Sequence, residues 1–131
     1  MKKDIEIPEY KELHLAIIKE YNEAFKSDDY YAYLINQGDR QLDTVLVVSQ
    51  AEKNDQKSSV MRHKIEGLPP GTAAKVELIQ EEVLQLNNHF QVSFFIDSTL
   101  YDKRFSIKAG AFKEGALRQI KALNKRGLLI K

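Results

Sequence analysis

Leu42-Asp43-Thr44-Val45-Leu46-Val47-Val48-Ser49 is the stretch on which the fold turns. Val45–Val48 is apolar on both faces and strand-sized. Turn chemistry lies on each side: Asn36-Gln37-Gly38-Asp39 before it, and the polar Ala51–Ser58 around Asn54-Asp55 after it. A short continuous apolar run between such signals reads as a strand deep in a sheet or sandwich.

Outward from it, period-two patterns recur. Tyr30–Ile35 alternates, with Tyr31, Tyr33 and Ile35 on one side. Val60–Leu68 sets Val60, Arg62, Lys64 and Glu66 against Met61, His63, Ile65 and Gly67. Pro69-Pro70-Gly71 is a turn, since Pro fixes φ at one central position and Gly accepts φ > 0 at the next. Ala74, Val76 and Leu78 then alternate with Lys75 and Glu77. Gln80–Leu86 suits a short helical turn that Asn87-Asn88 breaks. Phe90–Asp97 reads as a buried strand, Asp97-Ser98-Thr99 as a turn, and Tyr101–Ile107 as the returning hairpin partner. Asn36, Asn87 and Asn88 fit turns.

Leu13–Phe25 admits two readings. Leu13, Leu15 and Ile17 alternate with His14, Ala16 and Ile18 as a strand would. Leu13, Ile17, Tyr21 and Phe25 also fall on a helical stripe. Leu15 and Ile18 sit near the edges of that stripe and favour the strand. Asp4–Ile7 suits a short edge strand or an extended arm. Phe112–Asn124 reads as a terminal helix with Gly127 near its C-terminal end, where the left-handed conformation is common. Six or seven short strands, with turn signals every 10 to 15 residues and no βαβ rhythm, predict one mostly β domain over residues 1–131. The expected architecture is an antiparallel β-sandwich of immunoglobulin-like type, closed by a C-terminal helix at about 112–124.

Asp4-Ile5-Glu6-Ile7-Pro8, Ala32–Asn36, Val45–Ser49, Met61-Arg62-His63, Leu86-Asn87-Asn88 and Leu100–Phe105 carry a further signal. Together they resemble a group of small bacterial proteins of unknown function. Some members carry a label relating them to phenylalanyl-tRNA synthetase. The resemblance spans nearly the whole chain and implies a fold, because its segments are strand patterns. It does not imply aminoacylation: a class II synthetase core needs far more chain, and its arginine-bearing ATP motifs have no match here.

The chemistry available is narrow. With no cysteine among 131 residues, disulfides, zinc-thiolate sites and thiol nucleophiles are excluded. That fits a reducing cytoplasm, the expected location. Acidic residues follow Met1-Lys2-Lys3 where a signal peptide would be apolar, and no run reaches the roughly 20 residues of a membrane helix. His14, His63 and His89 lie in separate segments without the i, i+4 spacing of a helical metal site, so no metal and no cofactor is expected. Strand alternation places His63 opposite Arg62 and Glu66, which keeps them from forming one acid–base cluster. The serines occur without a Gly-x-Ser-x-Gly elbow, and no glycine-rich phosphate loop is present. Asp97 and Asp102 are explained by turn formation.

The charge is polarised. Residues 1–102 carry 11 Lys/Arg and 18 Asp/Glu; residues 103–131 carry 9 Lys/Arg against Glu114 alone. Arg118, Lys121, Lys125 and Arg126 are therefore the expected contacts for an anionic partner. Tyr31 and Tyr33 offer an aromatic surface if they are not core. The leading expectation is a non-catalytic module that binds a protein partner or a second copy of itself. Weak RNA binding without sequence preference through the four basic residues ranks below it, because few aromatics are interleaved for base stacking. A small-molecule or enzymatic site would have to be assembled in space.

Overall fold

In the computed structural model, residues 8–131 are described; the strand or arm expected at Asp4–Ile7 lies outside them. Among the described residues, ten strands and a single α-helical turn follow in order, with a 3-10 turn before the ninth strand. They are β1 (Leu13–Asn22), β2 (Ser27–Asn36), β3 (Leu42–Lys53), β4 (Gln56–Lys57), β5 (Met61–Leu68), β6 (Ala73–Ile79), α1 (Glu81–Leu84), β7 (Asn87–Ile96), β8 (Thr99–Ile107), β9 (Arg118–Ile120) and β10 (Lys125–Ile130). Sheet A runs β6-β2-β1-β10-β9. Sheet B runs β4-β3-β7-β8, with β5 also pairing β3. Every pairing is antiparallel.

The period-two patterns decide which side chains go inside. Leu13, Leu15 and Ile17 of β1, Leu34 of β2, Val45 and Val47 of β3, Phe90, Val92 and Phe94 of β7, and Phe105 of β8 share one core between the sheets. Phe90, Phe94 and Phe105 are almost fully buried, and each contributes about 2–3 kcal/mol over an exposed ring. The two readings of Leu13–Phe25 are resolved by the same criterion. Tyr21 and Phe25, which the helical stripe would bury, are 61% and 79% exposed, whereas Leu15 and Ile18 are sealed. A strand satisfies both observations.

The C-terminal helix expected at 112–124 is absent. A 3-10 turn covers Glu114–Ala116, and Arg118–Ile120 and Lys125–Gly127 then pair as a hairpin. Gly115 weakens the helix, and Asn124 takes a left-handed φ of 54° that closes the hairpin turn. Its N–H donates to the Ile120 carbonyl at 2.8 Å. The edge of β1 supplies the deciding gain, since Leu15–Ile18 pair with Gly127–Ile130. Gly127 is accordingly not a helix cap. It sits mid-strand, where a Cβ would run into the Ile17 carbonyl oxygen.

Turns behave as their residues require. Asp97 and Ser98 both have positive φ in the β7–β8 hairpin, and Gly71 does so in the Pro-Pro-Gly crossing from sheet B to sheet A. Asn36 ties that crossing down. Its Oδ1 accepts from the Tyr10 hydroxyl at 2.7 Å and the Gly38 N–H at 3.2 Å. Its Nδ2 donates to the carbonyls of Arg40, at 2.7 Å, and Leu68, at 3.0 Å. The side chain is fully buried and fully satisfied, a structural hub rather than a plain turn residue.

Candidate functional site

A cleft of about 300 Å³ opens where the edge of sheet A, β6, faces β3 of sheet B. It exists because β6 is irregular. Ala32 pairs with Glu77 while Tyr33 pairs with Lys75, so Val76 is the extra residue of a β-bulge. A bulge re-aims the side chains beside it. Here Val76 packs on the core and Glu77 turns the same way, towards sheet B. Glu77 Oε1 accepts from the Ser49 hydroxyl at 2.8 Å and from His63 Nε2 at 2.8 Å. These contacts bind β6 to β3 and β5, across the open edge of the sandwich.

The order of these three groups sets their chemistry. A serine nucleophile needs its proton taken by an imidazole, with the carboxylate behind it. Ser49 instead donates to the carboxylate directly, and His63 approaches the same oxygen from another side. The trio is a clasp, and a carboxylate with one uncommitted oxygen. Above it, Ile79, Val83, Ala51 and Met61 supply apolar wall.

A second constellation lies on the outer face of sheet B. His89 of β7 contacts Glu52 of β3 through Nε2 and Ser106 of β8 through Nδ1, both at 3.0 Å. For a neutral ring, Nε2–H donates to the carboxylate and Nδ1 accepts the Ser106 hydroxyl proton. That is the relay order of nucleophilic catalysis. The setting differs. The shallow hollow nearby is lined by Val48, Val60, His89, Gln91 and Arg104, and Ser106 lies outside it.

The same face carries apolar side chains in the open. Cross-strand rows read Lys64–Leu46–Ser93–Asp102 and Arg62–Val48–Gln91–Arg104, with Phe95 opposite Leu100 in the row before them. Leu46 is 44% exposed, Val48 37%, Phe95 36% and Leu100 50%. Charged residues flank this band on β5 and β8.

The residues singled out from the sequence are placed as follows. Arg118 folds onto the carbonyls of Gly115 and Leu117 at 2.9 Å. Lys125 lies 3.6 Å from Glu20, and Arg126 lies 3.3 Å from Glu114. Lys121 is exposed in the β9–β10 turn. The basic segment thus spends part of its charge within the fold. Tyr31 and Tyr33 do share a face, the outer one of sheet A, but Tyr33 is 8% exposed and packs with Ala16, Ile18 and Ile35. Its hydroxyl donates to Glu20, and the Lys75 ammonium lies 3.9 Å from the Tyr31 ring centre. Burial pushes the Glu20 carboxyl up, but hydrogen bonds from Tyr33 and Lys75 outweigh it and hold the group below its usual range. Burial, and then the same bond, push the Tyr33 hydroxyl above its ordinary value.

His14 is the outlier. Its Nδ1 is buried without a partner, and burial together with Lys103 and Lys131 holds the imidazole below its ordinary pKa. Lys103 reaches under the start of β1, donating to the Leu13 carbonyl at 2.6 Å. Burial lowers its pKa as well.

Glu77 and Ser49 escaped sequence reasoning. Glu77 reads as the solvent side of an alternating strand, and only a bulge brings it inward. Among the described residues, no group of three His, Asp or Glu side chains converges to hold a metal ion. No helix of the described residues is long and apolar enough to cross a membrane. Comparison of the chain with family models, curated proteins and solved structures gives no match.

Proposed function

We propose that this chain is a non-catalytic binding module: an immunoglobulin-like, cytoplasmic sandwich that docks a protein partner, or a second copy, on the outer face of sheet B. The carrying observation is that Leu46, Val48, Phe95 and Leu100, which lie in adjoining cross-strand rows of one face, are all exposed. Exposed apolar side chains grouped on one face and rimmed by polar ones are the usual anatomy of a protein interface. Here the rim holds both signs of charge, Arg62, Lys64 and Arg104 with Asp102. Such a rim selects the partner and sets the rate of encounter more than the affinity.

RNA binding through Arg118, Lys121, Lys125 and Arg126 has less support. Lys125 and Arg126 are ion-paired and Arg118 is hydrogen-bonded to backbone, so phosphates would have to displace existing partners.

The chain has no cysteine, so one engineered thiol is unique. A photo-reactive group attached at Leu46→Cys is expected to crosslink the partner, or a second copy in pure protein. The same group at Asn54→Cys, in the β3–β4 turn, is expected to give no such product. Equal yields from both positions, or none from Leu46→Cys in pure protein and in extract of the source cells, would overturn the proposal. A salt series on the crosslinking yield reads the contribution of the charged rim.

A further inference from the structure

We propose that the cleft between β6 and β3 is a binding site for a primary alkylammonium group. The inference comes from counting which polar atoms of the cleft are already committed. Ser49 donates to Glu77 Oε1, and so does His63. Asn88, 4% exposed, gives its Nδ2 hydrogens to the carbonyls of Val83 and Leu86 at 2.9 and 3.1 Å. Those carbonyls also fix the orientation of the amide, because only the nitrogen end can donate to them. What is left over is acceptor capacity. Glu77 Oε2 and Asn88 Oδ1 have no partner among the described residues. Among the described residues, the only side-chain atom sealed off without a partner is His14 Nδ1, away from the cleft. Both oxygens therefore keep access to solvent, and both residues line the cleft.

A ligand matching this site must donate hydrogen bonds and should carry positive charge. The uncommitted oxygens select among cations. A guanidinium binds best across both oxygens of a carboxylate, and Oε1 is occupied twice over. A hard metal ion wants six or more oxygens, far beyond this set. An ammonium is a compact donor that can bond Glu77 Oε2 and Asn88 Oδ1 and leave its third hydrogen to water. Ile79, Val83 and Met61 offer the wall for its alkyl chain. At about 300 Å³ the cleft is at the small end of ligand sites, suited to a chain of a few methylenes. The ammonium can arrive on a free amine or on a lysine side chain of another protein.

The test is a titration of the full chain followed by amide chemical shifts. Pentylamine and Nα-acetyl-lysine methylamide are the two probes, and the tighter one identifies the source. Saturable shifts are expected around Ser49, Glu77, Val83 and Asn88, and none on the Leu46–Val48 face. Glu77→Gln should weaken binding about tenfold or more, as loss of a charged hydrogen-bond partner does. If Glu77→Gln does not fold, the native chain still decides. Pentyltrimethylammonium keeps the chain and the charge but has no N–H to donate, and should bind about tenfold more weakly. Pentanoate should not bind. Absence of saturable shifts with both amines, or equal binding of the trimethylated probe, would overturn the proposal.

Discussion

Removing the Asn36 side chain is expected to cost this domain much of its stability. Asn36→Ala strips a partner from five groups. The Gly38 N–H and the Arg40 and Pro69 carbonyls lie near the surface, where water replaces the amide. The Tyr10 hydroxyl and the Leu68 carbonyl belong to residues only 9% and 2% exposed, and water reaches them poorly. A buried group left unpaired costs about 1–3 kcal/mol, so two of them give roughly 4 kcal/mol as a central figure. With a urea m-value of about 1.5 kcal/mol/M, the midpoint falls by roughly 2.7 M. Tyr10→Phe removes one bond and leaves Oδ1 the Gly38 N–H, so its cost should be about 1 kcal/mol. Asn36→Asp should be at least as damaging as Ala, since it turns an anionic oxygen towards the carbonyls of Arg40 and Leu68. Far-UV circular dichroism follows the melts. A loss below about 1 kcal/mol for Asn36→Ala, or an Asp variant as stable as native, would refute the hub reasoning.

The remaining predictions concern pH, backbone approach and control sites. For His14 the folded pKa lies below the unfolded 6.5, so the unfolded chain takes up the proton first as pH falls. Stability then drops from about pH 6.5 downwards, and His14→Gln should flatten that slope; an unchanged slope in urea melts at pH 7, 6 and 5 would remove His14 as the cause. Glu20 acts in a lower window: its depressed carboxyl adds stability above its unfolded value of 4.5 that is lost as pH falls through the folded pKa. Glu20→Gln should lose stability near neutral pH and approach the native chain in strong acid. Gly127→Ala puts a Cβ against the Ile17 carbonyl and 2.7 Å from Ile18 Cδ1, and should cost about 2–3 kcal/mol with faster hydrogen exchange across β1 and β10. Gly115→Ala meets nothing within 4 Å and should stay within about 0.5 kcal/mol of native; similar losses at both glycines would refute the close-approach account.

Strand positions were legible wherever one face of a strand meets the core. Phe90–Ile96 and Tyr30–Ile35 show the period of two that burial of one face imposes, Val45–Val48 shows as a continuous apolar run between turns, and Leu13–Ile18 alternates but shares its apolar residues with a helical stripe. The Asp97-Ser98 and Pro69-Pro70-Gly71 turns are equally readable, since their residues tolerate the required φ. The end of the chain was not. Phe112–Asn124 holds good helix formers, and its strand β9 pairs with β10, which in turn depends on the open edge of β1, more than a hundred residues before it in sequence. Local propensity cannot register such a partner. The cleft was hidden for a related reason. Alternation assigns Glu77 to solvent, and one bulged residue reverses it. His63 was correctly set apart from Arg62 and Glu66, but its actual companions, Ser49 and Glu77, come from other strands.

The pairing of β1 with β10 also orders events during synthesis. β1 and β2 form a local hairpin, and β3, β7 and β8 can assemble before β9 and β10 are made. Throughout that time the other edge of β1 is unpaired, and Leu15–Ile18 is an apolar strand whose free amides and carbonyls can template a stranger. Only when Gly127–Ile130 leaves the ribosome is that edge closed. Slow translation of the β9–β10 hairpin, or loss of Gly127–Ile130, would prolong exposure of a largely buried strand of sheet A and turn a foldable nascent chain into one dependent on chaperones.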